Sequence, residues 1–264
     1  VTTDEFITEL FCRVDDEMLD VEKTAQAHLY PSEVVTLGLL FALKGVGNRD
    51  FYRWLKRDYL ALFPRLPERT RLFRLFNEQR NWTQRLMAQP SLIGVIDTYG
   101  IELIHPRREG RSERQIGRKG KSNQRWIVGG KLCMLLNHLG LVVDWACDTA
   151  NVYDGTPVAF QALVDEVADH MLVFSDVGFD KQDWHPTNLK LCKRGEWNSR
   201  MLVETVLSML TTVCHFKKVG HRVWAYFESR LAYTMGLFNL LVQWDGLPAD
   251  EDGFVPLSIA QFSL

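Results

Sequence analysis

The chain has 264 residues, 46% of them hydrophobic and 24% charged, which is enough apolar material for one large core or two small ones and excludes a disordered or low-complexity protein. No window approaches the run of about 18 apolar residues that a membrane helix needs, and the acidic opening VTTDEFITELF lacks a signal-peptide pattern, so a cytoplasmic protein without a membrane partner is expected. The net charge of −2 does not by itself advertise a polyanionic partner.

Residues 1–90 read as a helical N-terminal domain. Pro31-Ser32-Glu33 looks like a helix start before the apolar run VVTLGLLFALK, and Gly45 and Gly47 end it. DFYRWLKRDYLALF and ERTRLFRLFNEQRNW carry apolar and aromatic residues at helical spacing, the second with arginines on one side. Such a bundle is either a DNA-binding unit or a structural cap, and spacing alone leaves both open.

The character changes near Ser91, where a second domain, residues 91–264, begins. LIGVIDTYGIEL, WIVGGKLCMLLN, LVVDWACDTA, MLVFSD and NLKLCKR read as five strands, with a turn near His138 and a helix over about 156–167 between the third and fourth. Two long helices follow, over 198–218 and 222–244. Three strands in succession imply an antiparallel part and the β-α-β step a parallel part, so the expected fold is α/β, a mixed five-stranded sheet flanked by helices.

Between the first two strands lies a dense basic segment. Arg107, Arg108, Arg111, Arg114, Arg118, Lys119, Lys121, Arg125 and Lys131 face only Glu109 and Glu113, a net charge of +7. Clustered like charges repel one another unless a polyanion offsets them, so a segment that tracks phosphates is favoured over a bare solvated loop. Gly120-Lys121-Ser122 imitates the end of a nucleotide-binding loop, but that loop needs glycine where Gln115 stands, and no strand precedes it. The five cysteines are scattered and include no CxxC pair. His185 with Cys192, and Cys214 with His215, read as partly buried side chains in preference to metal ligands.

Three acids stand out. Asp97 lies inside an apolar strand, where an ionised carboxylate is costly without compensation. Asp176 ends a strand, just before Val177-Gly178-Phe179; sites gather at such ends, though ordinary turn chemistry also explains it. Glu204 falls on a polar stripe with Trp197, Arg200, Ser208, Thr211 and His215 along an otherwise apolar helix, and a solvated face with an Arg200–Glu204 pair is the simpler alternative. Two strand acids and one helix acid can converge on divalent ions, which activate an oxygen nucleophile and stabilise the leaving oxygen in phosphodiester chemistry.

In these pieces the chain resembles insertion-sequence transposases of the DDE class, which use an RNase H-like catalytic fold. VIDTYGI looks like the family's first-aspartate strand, ANVYDGTP (with Asn151 and Asp154) like its Asn-x2-Asp segment, and SDVGFD like its second-aspartate motif. Trp197-x2-Arg200-x3-Glu204 looks like its Tyr-x2-Arg-x3-Glu signature. The likeness covers roughly residues 91–242. It implies that Asp97, Asp176 and Glu204 bind two Mg2+ or Mn2+ ions, that the enzyme cuts an element's ends and joins the freed 3′-hydroxyl to target DNA, and that two chains pair as a homodimer on double-stranded DNA. It implies a bacterial, nucleoid-associated location, phosphate contacts from Arg200, and backbone tracking by the basic segment. Two departures stand: Trp197 replaces the tyrosine, and Thr211 occupies the signature's lysine position, leaving Lys217 and Lys218 further along as the available cations. The competing readings are a nuclease or resolvase on the same fold, and an inactive transposase-derived DNA-binding protein.

Overall fold

A computed structural model describes residues 2–122, 125–180, 183–193, 200–216, 219–247, 255 and 257–262. The side chain of Arg200 also lies outside that description. The chain is α/β. Four helices, α1 (Thr3–Asp16), α2 (Pro31–Lys44), α3 (Asn48–Asp58) and α4 (Arg69–Gln79), precede the sheet. Then come β1 (Ile93–Ile104), β2 (Arg118–Ser122), β3 (Arg125–Asn137), β4 (Val142–Thr149), α5 (Val158–Asp165), β5 (Leu172–Asp176) and β6 (Leu189–Cys192). Helices α6 (Arg200–Val213) and α7 (Trp224–Val242) follow. No described helix is long and apolar enough to cross a membrane.

Local chemistry sets the helix boundaries. Thr2 and Glu5 form a reciprocal capping box at the start of α1. Pro31 opens α2, Glu33 reaches back to the Tyr30 N–H at 2.6 Å, and Gly45 closes it in the left-handed conformation, φ 67°.

All five expected strands form, and the sheet is mixed as the order of elements implied. β1, β3 and β4 are antiparallel neighbours, while β5 and β6 run parallel to β1 on its other side. The strand count differs from expectation, because a sixth strand, β2, forms inside the basic segment. β3 is 13 residues long, and its far edge is shared end to end: Arg125 to Gly129 pair with β2, Gly130 to Leu136 with β4. The long partner supplies the ladder, so the charge-rich RKGKS becomes a strand without an apolar alternation of its own.

The two faces of the sheet are covered differently. Ile96, Cys133, Leu135 and Val173 pack beneath Phe160, Leu163 and Val164 of α5. On the other face, Val95, Ile101, Leu132, Met134 and Leu136 meet α6 and α7 in a hydrophobic core that continues without a break into α1, α2, α3 and α4. The helices before residue 90 and those after residue 200 thus share one core. The aromatic side of α4 points into it: Phe73 and Phe76 surround Phe41, and Phe76 meets the Tyr233 ring edge-on.

Helix α7 is the pillar of that core, with every residue from Ser229 to Val242 buried. Its polar side chains are absorbed by backbone groups of its neighbours. The Tyr233 hydroxyl donates to the Phe76 carbonyl, and Asn239 both donates to and accepts from the backbone of Val142. Gly38 lets α2 approach α7 closely, since a Cβ there would lie 2.3 Å from the Tyr233 ring. Gly38→Ala is expected to lower unfolding stability by about 1–3 kcal/mol through overpacking, read as a lower urea midpoint at unchanged slope.

Candidate active site

Asp97 sits in the middle of β1, opposite Met134 of β3. Side chains alternate along a strand, so it shares a face with Val95 and Ile101, the face covered by α6 and α7. On β5, Phe174 pairs with Val95, and two residues further along each strand lie Asp176 and Asp97. Register therefore places both aspartates on the same face of adjacent parallel strands. Had they fallen on opposite faces, no shared chemistry would be available to them.

Helix α6 packs on that face through Val203, Val206, Leu207 and Leu210. Its outward stripe carries Glu204 and Ser208, both exposed, and Thr211, half-buried. Asp97 and Glu204, far apart in sequence, thereby line one open cleft of about 370 Å3, together with Thr98, Tyr99, Leu207, Ser208 and Thr211. Every polar group named in this lining offers oxygen.

Asp176 stands apart from that lining among the described residues. Its Oδ1 accepts from the Gly178 N–H at 2.8 Å, the turn interaction expected after a strand. Its neighbour is Asp154: a Cβ added to Gly178 would lie 2.7 Å from Asp176 Oδ1 and 3.1 Å from Asp154 Oδ2. Among the described residues no three His, Cys, Asp or Glu side chains are grouped closely enough for a metal ion. The structure thus brings Asp97 together with Glu204, and Asp176 together with Asp154, as two pairs at the same end of the sheet.

Lys131 is tied to the second pair through Asp154. It is not part of the exposed basic surface to which its place in the sequence assigns it: its Nζ turns inward, 2.5 Å from Asp154 Oδ1 and 2.6 Å from the Val152 carbonyl. Its place on β3 directs it to the α5 side, two residues from Cys133. Burial pushes the Cys133 thiol well up, and the negative charges of Asp154 and Asp97 push it further, against the opposing charge of Lys131. All three charges therefore act on one buried point. Asp97 Oδ1 also accepts from the Thr98 N–H at 2.7 Å.

The remaining basic residues are where a polyanion could reach them. Arg107, Arg108, Arg111, Arg114, Arg118, Lys119, Lys121 and Arg125 are all exposed. The β2–β3 hairpin also presents Trp126, 58% exposed, with the Lys119 ammonium 5.7 Å from its ring centre. The sheet curls at this point. Ser122 Oγ accepts from the Gly100 N–H at 3.2 Å although β3 lies between their strands in the sheet order. Burial raises the pKa of Tyr99, a cleft residue, and the charge of Arg125 opposes that rise, which sets the hairpin within electrostatic reach of the cleft.

Some sequence assignments need correction or fall outside what is described. The helix bearing Glu204 ends at Val213 and the chain turns at His215, φ 51°, so α6 stops short of the helix expected over 198–218. Lys217, Lys218, Trp197 and the side chain of Arg200 lie outside the described residues. Glu228, another acid on the flanking helices, is engaged elsewhere: it accepts from Trp224 Nε1 at 2.9 Å and pairs with Arg80 at 3.2 Å.

Compared with known proteins, the chain matches no family model and no curated protein. If the cleft takes a divalent ion, Asp97→Asn and Glu204→Gln should each weaken Mn2+ binding by at least about tenfold, whereas Glu228→Gln should leave it unchanged, as measured by electron paramagnetic resonance titration of free Mn2+.

Proposed function

We propose that the chain is a metal-dependent DNA strand-cutting and strand-joining enzyme of the DDE transposase type, with an RNase H-like catalytic fold. The observation that carries this reading is the common cleft of Asp97 and Glu204, with Asp176 on the same sheet face one strand away. In this reading the three carboxylates hold Mg2+ or Mn2+. The donor set fits, since it offers carboxylate and hydroxyl oxygens, the ligands that hard divalent cations take. When bound, such ions make an oxygen nucleophile available at neutral pH and offset charge on the leaving oxygen. The motif resemblance of VIDTYGI, SDVGFD and the Trp197-to-Glu204 segment supports the same assignment.

The chain's own residues divide the work. Asp97, Asp176 and Glu204 concentrate negative charge at one end of the sheet, which draws cations and repels an unaccompanied phosphate. The exposed cations of residues 107–125 hold the DNA backbone along the rim. The hydroxyls of Ser208 and Thr211 orient the phosphate or its waters within the cleft. Two chains around two DNA ends form the working unit, the arrangement that joining requires and simple cutting does not.

A second reading, a DNA-binding protein that no longer cuts, is favoured by one observation: no three acidic side chains among the described residues are gathered within reach of a single ion. A nicking assay on supercoiled plasmid with Mn2+ separates the two. Nicking by the wild-type chain that falls more than about a thousandfold in Asp97→Ala and in Glu204→Ala supports the enzyme. Equal traces of nicking in all three leave DNA binding alone. Covalently joined products, scored on a gel, distinguish the transposase from a nuclease.

The rim makes its own prediction. Each of Arg107→Ala, Arg111→Ala and Arg118→Ala should weaken binding of double-stranded DNA regardless of its sequence. Each should also reduce the slope of log affinity against log salt by about 0.9 for every phosphate that is no longer neutralised, measured by fluorescence anisotropy between low and moderate salt.

A further inference from the structure

Arg230 carries its charge into the core at 4% exposure. Its Nη1 donates to the Phe41 carbonyl at 2.6 Å, and its Nη2 to the carbonyls of Ala42 at 2.9 Å and Cys214 at 3.4 Å. Its Nε is buried with no hydrogen-bond partner among the described residues. The nearby Cys214 thiol is pushed up to about 12 by burial and is therefore neutral, and among the described residues Arg230 forms no ion pair with a carboxylate. A buried ion without a counter-ion costs several kcal/mol, and an unpaired buried donor in a native protein calls for a partner.

Beside Arg230 lies a cavity of about 220 Å3, whose wall also includes Gly45, Gly47, Asn48, His215 and His221. Gly47 and Asn48 are the N-terminus of the 11-residue helix α3, where the first N–H groups have no intrahelical partner and the helix dipole is positive. No side chain among the described residues caps that end. A Cβ on Gly47 would meet only Asp50 Oδ2, at 4.0 Å, so the space before the helix is open; that carboxylate, in the first turn of α3, pairs with Arg53 at 3.6 Å. His221 is largely buried, and its pKa is held down to about 4, first by burial and then by the charge of Arg230, which leaves a neutral ring with one N–H to donate. A cation without a counter-ion, a helix N-terminus and an imidazole donor thus meet at one small cavity. The volume is below that of a drug-sized ligand pocket and suits a single small ion. It shares no lining residue with the Asp97–Glu204 cleft.

We propose that this cavity is an oxyanion site that takes a phosphate group, with Arg230 and the first turn of α3 supplying positive charge and His221 a further hydrogen bond. The phosphate is either the free ion or the terminal phosphate of a nucleic-acid strand. Occupancy supplies the counter-ion that the fold lacks, and it ties α3 to α7 across the cavity. The site stands independently of the catalytic reading.

The test is isothermal titration calorimetry of the whole chain with inorganic phosphate at fixed ionic strength. Saturable binding of one phosphate is expected. It should weaken about tenfold in His221→Ala, the loss of one hydrogen bond to a charged group, and vanish in Gly47→Glu, whose carboxylate fills the open space. Neither change touches the carbonyl bonds of Arg230, and far-ultraviolet circular dichroism verifies that both variants fold. Displacement of phosphate by a 5′-phosphorylated oligonucleotide, but not by its 5′-hydroxyl counterpart, identifies a strand end as the ligand. Displacement by neither identifies the free ion. No saturable binding by the wild-type chain, or binding unchanged in both variants, overturns the proposal.

Discussion

The arrangement of this molecule turns on one buried guanidinium. Arg230 sits on α7 in the middle of the core, and the groups that hold it are carbonyls from the last turn of α2 and from the residue just past the end of α6. Carbonyls at helix C-termini have no intrahelical donor, and they carry the negative end of the helix dipole. The arginine therefore answers two unsatisfied helix ends at once, and those ends answer part of its charge. Its guanidinium also lies 4.6 Å from the centre of the Phe41 ring, so the apolar face of α2 adds to the same interaction.

The consequence reaches the candidate active site. Glu204 stands over Asp97 only if α6 is held at a fixed height and rotation on the sheet. Val203, Val206 and Leu210 fix the rotation by burying one side of α6. Apolar contacts alone are tolerant of sliding, whereas hydrogen bonds to Arg230 are directional. The tie at the end of α6, together with those from Tyr233 to the Phe76 carbonyl and from Asn239 to Val142, converts α7 from a greasy rod into an indexed one. Helices from the first ninety residues are thus part of what positions a carboxylate beyond residue 200, whatever else they contact.

Much of this was legible in the sequence, for identifiable reasons. The five apolar strands and their mixed pairing follow from β-branched runs and from the single helix between the third and fourth. The stripe of Glu204, Ser208 and Thr211 follows from helical periodicity. What escapes a sequence reading depends on tertiary partners. β2 carries no alternation, so only the exceptional length of β3 reveals that RKGKS is paired. The end of α6 is invisible because the apolar pattern runs on through Cys214 and Phe216, while the break is a backbone choice at His215. Lys131 groups with the exposed cations because it closes the run of basic residues that starts at Arg107, yet the alternation of β3 turns it toward Asp154. Arg230, a charge at the head of the unbroken buried stretch of α7, is the anomaly in plain view.

The charge distribution explains how a chain of net charge −2 can suit a polyanion. The acids and the cations are segregated: Asp97, Asp154, Asp176 and Glu204 gather at one end of the sheet with Lys131 the cation drawn in among them, while the other eight cations of the basic segment lie on the solvent-facing hairpin and its lead-in. Opposite charges so arranged act at different ranges. The rim is exposed and attracts a phosphate backbone from a distance, in a way that salt screens. The three aspartates are partly enclosed and act over a few ångströms, where they disfavour a phosphate unless a cation accompanies it. In the proposed function, binding of DNA along the rim and chemistry in the cleft are therefore separable steps, the first set by salt and the second by divalent cation. Lys131 fits that division. Held by Asp154 and by the Val152 carbonyl, it offsets the charge of that carboxylate from the α5 side, while Asp97 and Glu204 line the cleft on the other face of the sheet.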